Sequence, residues 1–368
     1  MRALRICDCL APGAAGRLAS LGVAAFLAAA SGLAPAVADP VKPPLPEKAP
    51  KEPAAAKDLF GAENRPANLA SRSIGFYSKG CLAGAKELPI DGPNWQAMRL
   101  SRNRNWGHPR LIRLVEKLAR DAAEKDGWPG LLVGDLAQPR GGPMTSGHAS
   151  HQVGLDVDVW LNPMPDRRYS YEEREKVSAV SMLKDTLSVD PNIFTPEHVK
   201  LIKRAASYRE VDRVGVNPAI KLALCRAEGG DKPWLKKVQM WPGHHYHMHI
   251  RIKCPPDSAG CKGQSPPTNT SCAAAEKWYR DTKAYLERPK KPKPPEVAKR
   301  EKPEKPKRQV MLSELPKACR AVLAAAPAGT PPLRDIVTPS RKPDNRADAS
   351  GAAAAAPAAR PQAAPSHQ

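Results

Sequence analysis

The sequence predicts an α+β domain: a small central antiparallel sheet carrying a metal site, flanked by helices, with disordered Pro/Lys-rich tails. Three observations carry this expectation. Strand-like and helix-like apolar patterns are interspersed from about Leu59 to Lys283, separated by long irregular connections rather than repeated strand–helix units. Two of the strand candidates place histidine or aspartate on one face and aliphatic residues on the other. Pro and Lys concentrate towards both ends, where too few apolar residues remain to offset the entropy of ordering the chain.

Taken in chain order, Arg2, Arg5 and Arg17 precede an apolar run, Leu18 to Leu33, and the small residues Ala36-Val37-Ala38. That order is a secretory signal, so residues 1–38 are expected to be removed on export to the periplasm. No apolar run approaches the roughly 20 residues of a membrane span, which argues against an integral membrane protein. Residues 39–58 read as a Pro-rich linker.

The domain itself is expected over 59–283. Leu111, Ile112, Leu114, Val115 and Leu118 recur at helical spacing within His108 to Ala123. Gly130 to Leu136 and Leu155 to Leu161 read as strands. Thr195-Pro196 opens a second helix with a capping residue and a proline at its first position. Val211 to Val216 is a strand candidate, Asn217-Pro218 opens a third helix that stops at Gly229-Gly230, and Met248 to Ile252 is a last strand. Beyond it lie a basic linker (284–310), a short leucine-containing island with Cys319 (311–324), expected to be tied back onto the domain, and an Ala/Pro-rich tail (325–368).

Once the signal is removed six cysteines remain, Cys81, Cys225, Cys254, Cys261, Cys272 and Cys319. An even number in an exported chain suits disulfides but leaves their pairing open, although Cys254 and Cys261 flank a short turn and form the easiest local bridge. None of them has the Cys-x-x-Cys spacing of a zinc ribbon. The formal charge of +21 is concentrated partly in the tail, where Arg288 to Arg308 holds ten Lys+Arg against three Glu. An exported chain whose basic runs lack interleaved aromatics is not expected to bind nucleic acid. The basic tail is instead a candidate for salt-sensitive contact with anionic envelope surfaces.

The chemistry-bearing residues fall in two windows, which hold six of the nine histidines: Ser146 to Trp160 and Trp241 to Arg251. In the first, alternation sets Asp156, Asp158 and Trp160 on one face of a strand and Leu155, Val157, Val159 and Leu161 on the other. His148 and His151 precede it on a loop bearing Gly147 and Gly154, which can fold them over the start of the strand. In the second, His247, His249 and Arg251 share a face opposite Met248, Ile250 and Ile252. Imidazole and carboxylate together suit zinc, a catalytic site using three protein ligands plus water, although ligand type alone leaves other metals open.

These windows carry a resemblance. Ser150-His151-Gln152-Val153-Gly154-Leu155-Asp156-Val157-Asp158 has the Ser-His-x-x-Gly-x-x-x-Asp layout, and His247-Met248-His249 the later His-x-His, of zinc peptidases that include lysostaphin and the D-alanyl-D-alanine carboxypeptidases. The sequence most resembles the penicillin-insensitive murein endopeptidase family, in SKGCLAGAKELP (78–89), GHPRLI (107–112), VGDLAQPRGG (133–142), VNPAIK (216–221) and WLKKV (234–238) as well. The resemblance spans roughly Ser73 to Cys319. It implies bridges Cys81–Cys319, Cys225–Cys272 and Cys254–Cys261, a catalytic Zn2+ held by His151, Asp158 and His249, and His247 as general base or intermediate stabiliser, with His244 a second candidate. His148 is similar to a residue that helps hold a second metal in some members; Asp185 matches the accompanying aspartate, but Ser188 stands near where a histidine is expected.

The implied activity is hydrolysis of D-alanyl–diaminopimelyl cross-links of peptidoglycan by a zinc-activated water, insensitive to penicillin because no serine or cysteine nucleophile is required. Asp156, on the same polar face, is a candidate to orient a histidine. Two alternatives stand beside this reading: a D-alanyl-D-alanine carboxypeptidase or dipeptidase, and a non-catalytic zinc-dependent wall-binding protein. His247 and His244 beside the ligands favour an enzyme, since a structural zinc is usually closed by four protein ligands.

Overall fold

The computed structural model describes residues 54–289 and 308–329. The expected signal peptide, most of the Pro-rich linker, the basic stretch 290–307 and the tail from 330 lie outside the described residues. Among the described residues the chain runs α1 (Ala56–Gly61), β1 (Arg72–Phe76), β2 (Lys79–Ala83), β3 (Lys86–Glu87), β4 (Asp91–Gly92), β5 (Trp95–Ala97), β6 (Trp106–Gly107) and α2 (Pro109–Asp126). It continues through β7 (Leu131–Val133), β8 (Asp156–Trp160), α3 (Tyr171–Lys176), α4 (Pro196–Ser207), β9 (Val211–Val216) and α5 (Pro218–Ala227). The last elements are β10 (Val238–Met240), β11 (His247–Ile252), α6 (Cys272–Leu286) and α7 (Ala318–Ala324). No described helix is long and apolar enough to cross a membrane.

The helices begin where local chemistry satisfies their first N–H groups. His108 Nδ1 accepts from Arg110 N ahead of α2, and Asn217 Oδ1 accepts from Ala219 N ahead of α5; in each case proline occupies the first helical position, where no N–H is needed. Helix α1 starts inside the stretch expected to be linker. Tertiary contacts account for it: Phe60 is fully buried against Ile74, Cys81 and Val322, and Ala56 N donates to Val310 O.

Seven strands form the main sheet in the order β10-β9-β11-β8-β7-β5-β4. Its middle, β9-β11-β8-β7, is antiparallel, as expected. The sheet as a whole is larger than the small antiparallel one expected, and mixed: β10 pairs parallel with β9, and β5 with β7. The reason lies in the connections. Helix α5 separates β9 from β10 and α2 separates β5 from β7, and such helical crossovers return the chain in the same direction. One face of β8 and β11, carrying Val157, Val159, Met248 and Ile250, packs into a core with Leu111 and Leu118 of α2, Leu201 and Ile202 of α4, and Ile220 of α5. Each such side chain, fully buried, contributes about 1.5–3 kcal/mol.

Disulfides link Cys81 to Cys319, Cys225 to Cys272 and Cys254 to Cys261. The first attaches the segment containing α7 to β2. A second tether is Arg140, 2% exposed, whose Nη1 donates to the carbonyls of Val322, Leu323 and Ala325 at 2.8, 2.7 and 3.0 Å and so caps the C-terminus of α7. Its Nε pairs with Glu63 at 3.0 Å.

Candidate metal centre

The register of β8 against β11 sets His249 opposite Asp158, His247 opposite Trp160 and Arg251 opposite Asp156. Residues of one pleat face thereby meet across the two strands. This face is not solvated: His249, Asp158, Asp156 and Arg251 are all buried. The loop before β8 covers it. Ser73 Oγ donates to Val153 O at 2.7 Å, Gly80 N to Gln152 Oε1 at 3.3 Å, and Gln152 Nε2 to Ala149 O at 3.1 Å, so the β1–β2 hairpin holds the loop against the strand. Gly154 turns it with φ +69°, and a Cβ there would meet Leu82 Cδ2 at 2.4 Å. His151, with φ +67°, also occupies the left-handed region, an uncommon conformation for a residue other than glycine and one concentrated at functional sites.

His148, His151 and Asp158 bring ligand atoms within 4.8 Å of one another. His249 joins them: its Nδ1 lies 3.0 Å from Asp158 Oδ1, which is 3.5 Å from His151 Nε2. His151 is fully buried, yet among the described residues neither ring nitrogen has a hydrogen-bond partner, nor does Asp158 Oδ1. Buried polar atoms left unpaired are costly, and here they converge. Imidazoles and one carboxylate are the donor set of a zinc site, so these residues fit such an ion. On the far side, His249 Nε2 donates to Asp156 Oδ1 at 2.7 Å, and Arg251 Nε donates to the same oxygen at 2.6 Å. That arrangement presents Nδ1 of His249 towards Asp158.

The electrostatics follow from burial and these neighbours. Burial opposes charge on His249, but Asp156 and Asp158 on either side raise its pKa to about 9. Burial lowers that of His247 to about 4, Asp158 only partly offsetting it. Burial likewise lowers His151. For Asp158 burial acts upwards, but the surrounding histidines hold its carboxyl well below the usual range.

His247 Nε2 lies 3.7 Å from Asp158 Oδ1 and its Nδ1 is buried without a partner. His244 packs beside it, ring centroids 4.9 Å apart, with Nδ1 3.1 Å from Pro242 O. Trp241 stands 5.1 Å from the rings of both His244 and His249. It is admitted by Gly215, which faces His249 from β9; a Cβ there would lie 2.1 Å from the indole. His245, the remaining histidine of that window, points to Ser181 Oγ at 2.9 Å.

Two expected site residues are rearranged. His148 lies at the main cluster, its Nε2 3.4 Å from Asp158 Oδ2 and 3.2 Å from Asp135 Oδ2. Among the described residues Asp185 is not in the group of ligand atoms that contains His148. It lines a separate surface cleft with Tyr279 and Leu286, and its carboxylate accepts from Leu187 N, Ser188 N and Ser188 Oγ at 2.7–2.8 Å. The physical reason is local: Ser188 closes a turn onto Asp185.

The structure adds residues that sequence reasoning passed over. Asp135, buried, accepts from Arg104 Nη1 at 2.8 Å and Arg102 Nη1 at 3.1 Å as well as facing His148. Its one available signal is position, since it follows β7 by two residues. Arg102 ends a single 3-10 turn, Arg104 sits in irregular chain, and neither carries a spacing signal. A cleft of about 290 Å³ opens over this group, lined by Arg102, Asp135, His148, Asp158, Trp160, Tyr246 and His247 among others.

A family model described as penicillin-insensitive murein endopeptidase matches residues 73–324. Curated relatives carrying that name include one from Pectobacterium atrosepticum, 41% identical over 223 residues, covering 60% of this chain and 79% of the relative. One from Yersinia enterocolitica is 42% identical over 212 residues, 57% and 76% of the two chains. One from Escherichia coli is 39% identical over 230 residues, 62% and 83%.

Proposed function

The chain belongs to the penicillin-insensitive murein endopeptidase family, and from that premise we propose that it is a secreted, periplasmic zinc metallo-endopeptidase that hydrolyses the D-alanyl–diaminopimelyl cross-links of peptidoglycan. The observation that carries the metal assignment is the convergence of buried, unpartnered atoms of His151 and Asp158 on Nδ1 of His249. His151, Asp158 and His249 hold the ion, with His148 alongside. When bound, zinc supplies Lewis acidity towards the scissile carbonyl and makes water acidic enough to serve as nucleophile near neutral pH.

The protein's own groups do the rest. Asp156 fixes the orientation of His249, and Arg251 fixes Asp156. His247, on the cleft floor with an unpaired Nδ1, takes a proton and returns it to the leaving amine; His244 supports its ring. Trp160 and Tyr246 wall the cleft. Such a reaction uses no serine acyl-enzyme, which accounts for insensitivity to penicillin.

The test is digestion of cross-linked peptidoglycan by mature protein with separation of the products by mass. Conversion of dimeric muropeptides to monomers, lost in His249→Ala and on chelation and restored by zinc, is expected. Persistence of dimers with zinc present refutes the reading, and release of free D-alanine with cross-links intact transfers the assignment to a carboxypeptidase. His247→Ala is expected to be inactive while retaining stoichiometric zinc.

A further inference from the structure

The rim of the cleft is built by an unusual turn. Leu100–Arg102 forms a single 3-10 turn bounded on both sides by residues in the left-handed region, Arg99 at φ 58° and Asn103 at φ 51°. Two such non-glycine residues are strained, and the strain persists only where surrounding structure imposes it. What the turn achieves is the placement of two arginines on the cleft wall.

The two arginines differ. Arg99 is locked: its guanidinium donates to the carbonyls of Arg174 at 3.0 Å, Val177 at 2.9 Å and Glu175, and lies 5.4 Å from the Trp160 ring centroid. Arg102 is not. Its side chain is 46% exposed, and Nη1 is engaged on Asp135 Oδ2 at 3.1 Å; among the described residues Nε and Nη2 have no partner. Arg104 already shares that Asp135 oxygen, at 2.8 Å. Glu175, the other carboxylate on this rim, accepts from Ser101 N and Oγ, both at 2.8 Å. Of these three guanidinium groups, that of Arg99 is held by backbone carbonyls and that of Arg104 is buried on Asp135, while Arg102 is the exposed one. The path from Arg102 to the metal cluster is short: Arg102–Asp135, Asp135–His148 and His148–Asp158 contacts of 3.1, 3.2 and 3.4 Å in series.

We propose that Arg102 is a specificity-determining residue whose free guanidinium edge binds a substrate carboxylate on the carbon attached to the scissile nitrogen. This rests on the peptidase reading above and deepens it. A planar guanidinium fork, held at one end by Asp135, suits bidentate capture of a carboxylate better than a lysine does. The diaminopimelyl residue of a cross-link carries such a group beside the bond to be cut; a terminal D-alanine carries one too, so a D-alanyl-D-alanine pentapeptide is the arm of the test that separates the two sources.

The experiment compares kcat/KM of zinc-loaded wild type, Arg102→Gln and Arg102→Lys on two matched muropeptide dimers, one with that carboxylate free and one with it amidated, and on a D-alanyl-D-alanine pentapeptide. Wild type is expected to favour the free-carboxylate dimer by about 10- to 100-fold, the range of a charge-assisted hydrogen bond to a charged group. Arg102→Gln should lose that factor on the free-carboxylate dimer alone, Arg102→Lys should recover part of it, and the pentapeptide should remain uncut. Cleavage of both dimers without preference, or an equal loss on both in Arg102→Gln, overturns the subsite and leaves the endopeptidase reading intact. Failure of wild type to cut either dimer, or Arg102-dependent cutting of the pentapeptide alone, removes that reading and the assignment with it.

Discussion

Replacing Asp156 with Asn separates two roles that this carboxylate combines. Asp156 is fully buried, accepts from His249 Nε2 at 2.7 Å and from Arg251 Nε at 2.6 Å, and Arg251 is itself only 5% exposed. Burial works against its charge, but Arg251 and His249 hold its carboxyl well below the usual carboxylate range. Asp156→Asn keeps the shape and removes the charge, so a buried guanidinium loses its counter-ion. Breaking such a pair costs about 3–5 kcal/mol; because the amide oxygen still accepts one bond, about 3 kcal/mol is expected, read from denaturant unfolding with chelator present so that metal binding does not contribute. Independently, loss of the group that orients His249 should weaken zinc binding by about 10- to 100-fold, measured by competition with a chromophoric chelator. The cycle with Arg251→Met parts the two effects. In that background the guanidinium is already gone, so Asp156→Asn should cost less than about 1 kcal/mol in stability, while the affinity loss persists. Unchanged zinc affinity in Asp156→Asn, or the same stability loss with and without Arg251, refutes the reasoning.

Gly215→Ala should push the Trp241 indole off β9, since its Cβ falls 2.1 Å from the ring; a loss of about 1–3 kcal/mol and a shifted tryptophan emission are expected, and an unaltered unfolding curve counts against this packing. Arg140→Ala removes the donors to Val322, Leu323 and Ala325. It should destabilise by about 3 kcal/mol and expose the segment after residue 308 to limited proteolysis even with Cys81–Cys319 intact. Lys221 is fully buried with Nζ 2.7 Å from Leu235 O, and burial lowers its pKa to about 8 from the model-peptide value of 10.5. Between those values the unfolded chain binds more protons than the folded one, so Lys221 destabilises fully below pH about 8 and is relieved as pH rises to about 10.5. Stability plotted against pH should therefore climb less steeply over that window in Lys221→Met, and identical slopes would exclude the effect.

How much could be read before folding depended on the range over which each feature is determined. Alternation along Leu155 to Leu161 and His247 to Ile252 is a property of the extended backbone itself, so the shared faces of Asp156 with Asp158 and of His247 with His249 followed from spacing alone. The starts of α4 and α5 followed from Thr195-Pro196 and Asn217-Pro218, because an N-cap is a contact between residues two or three apart. The metal-type residues were legible for the same reason, being concentrated in two short windows. Direction and order of the strands were not: that α2 and α5 act as crossovers, making two pairs parallel, depends on where each helix packs. Nor was the burial of the supposedly polar face, which a loop held by the distant β1–β2 hairpin creates.

The amino-acid sequence by itself thus determined the two strands and the face that Asp158 and His249 occupy on them, since period-two geometry is local. Tertiary structure alone decided which further residues those donors meet. It joined Asp135 and Arg102 to His148 across a loop, placed Arg251 behind Asp156, and left Asp185 turned onto Ser188. Those encounters arise from side chains of different segments competing for a few buried charges and hydrogen bonds, and no periodicity along one segment records the outcome of that competition.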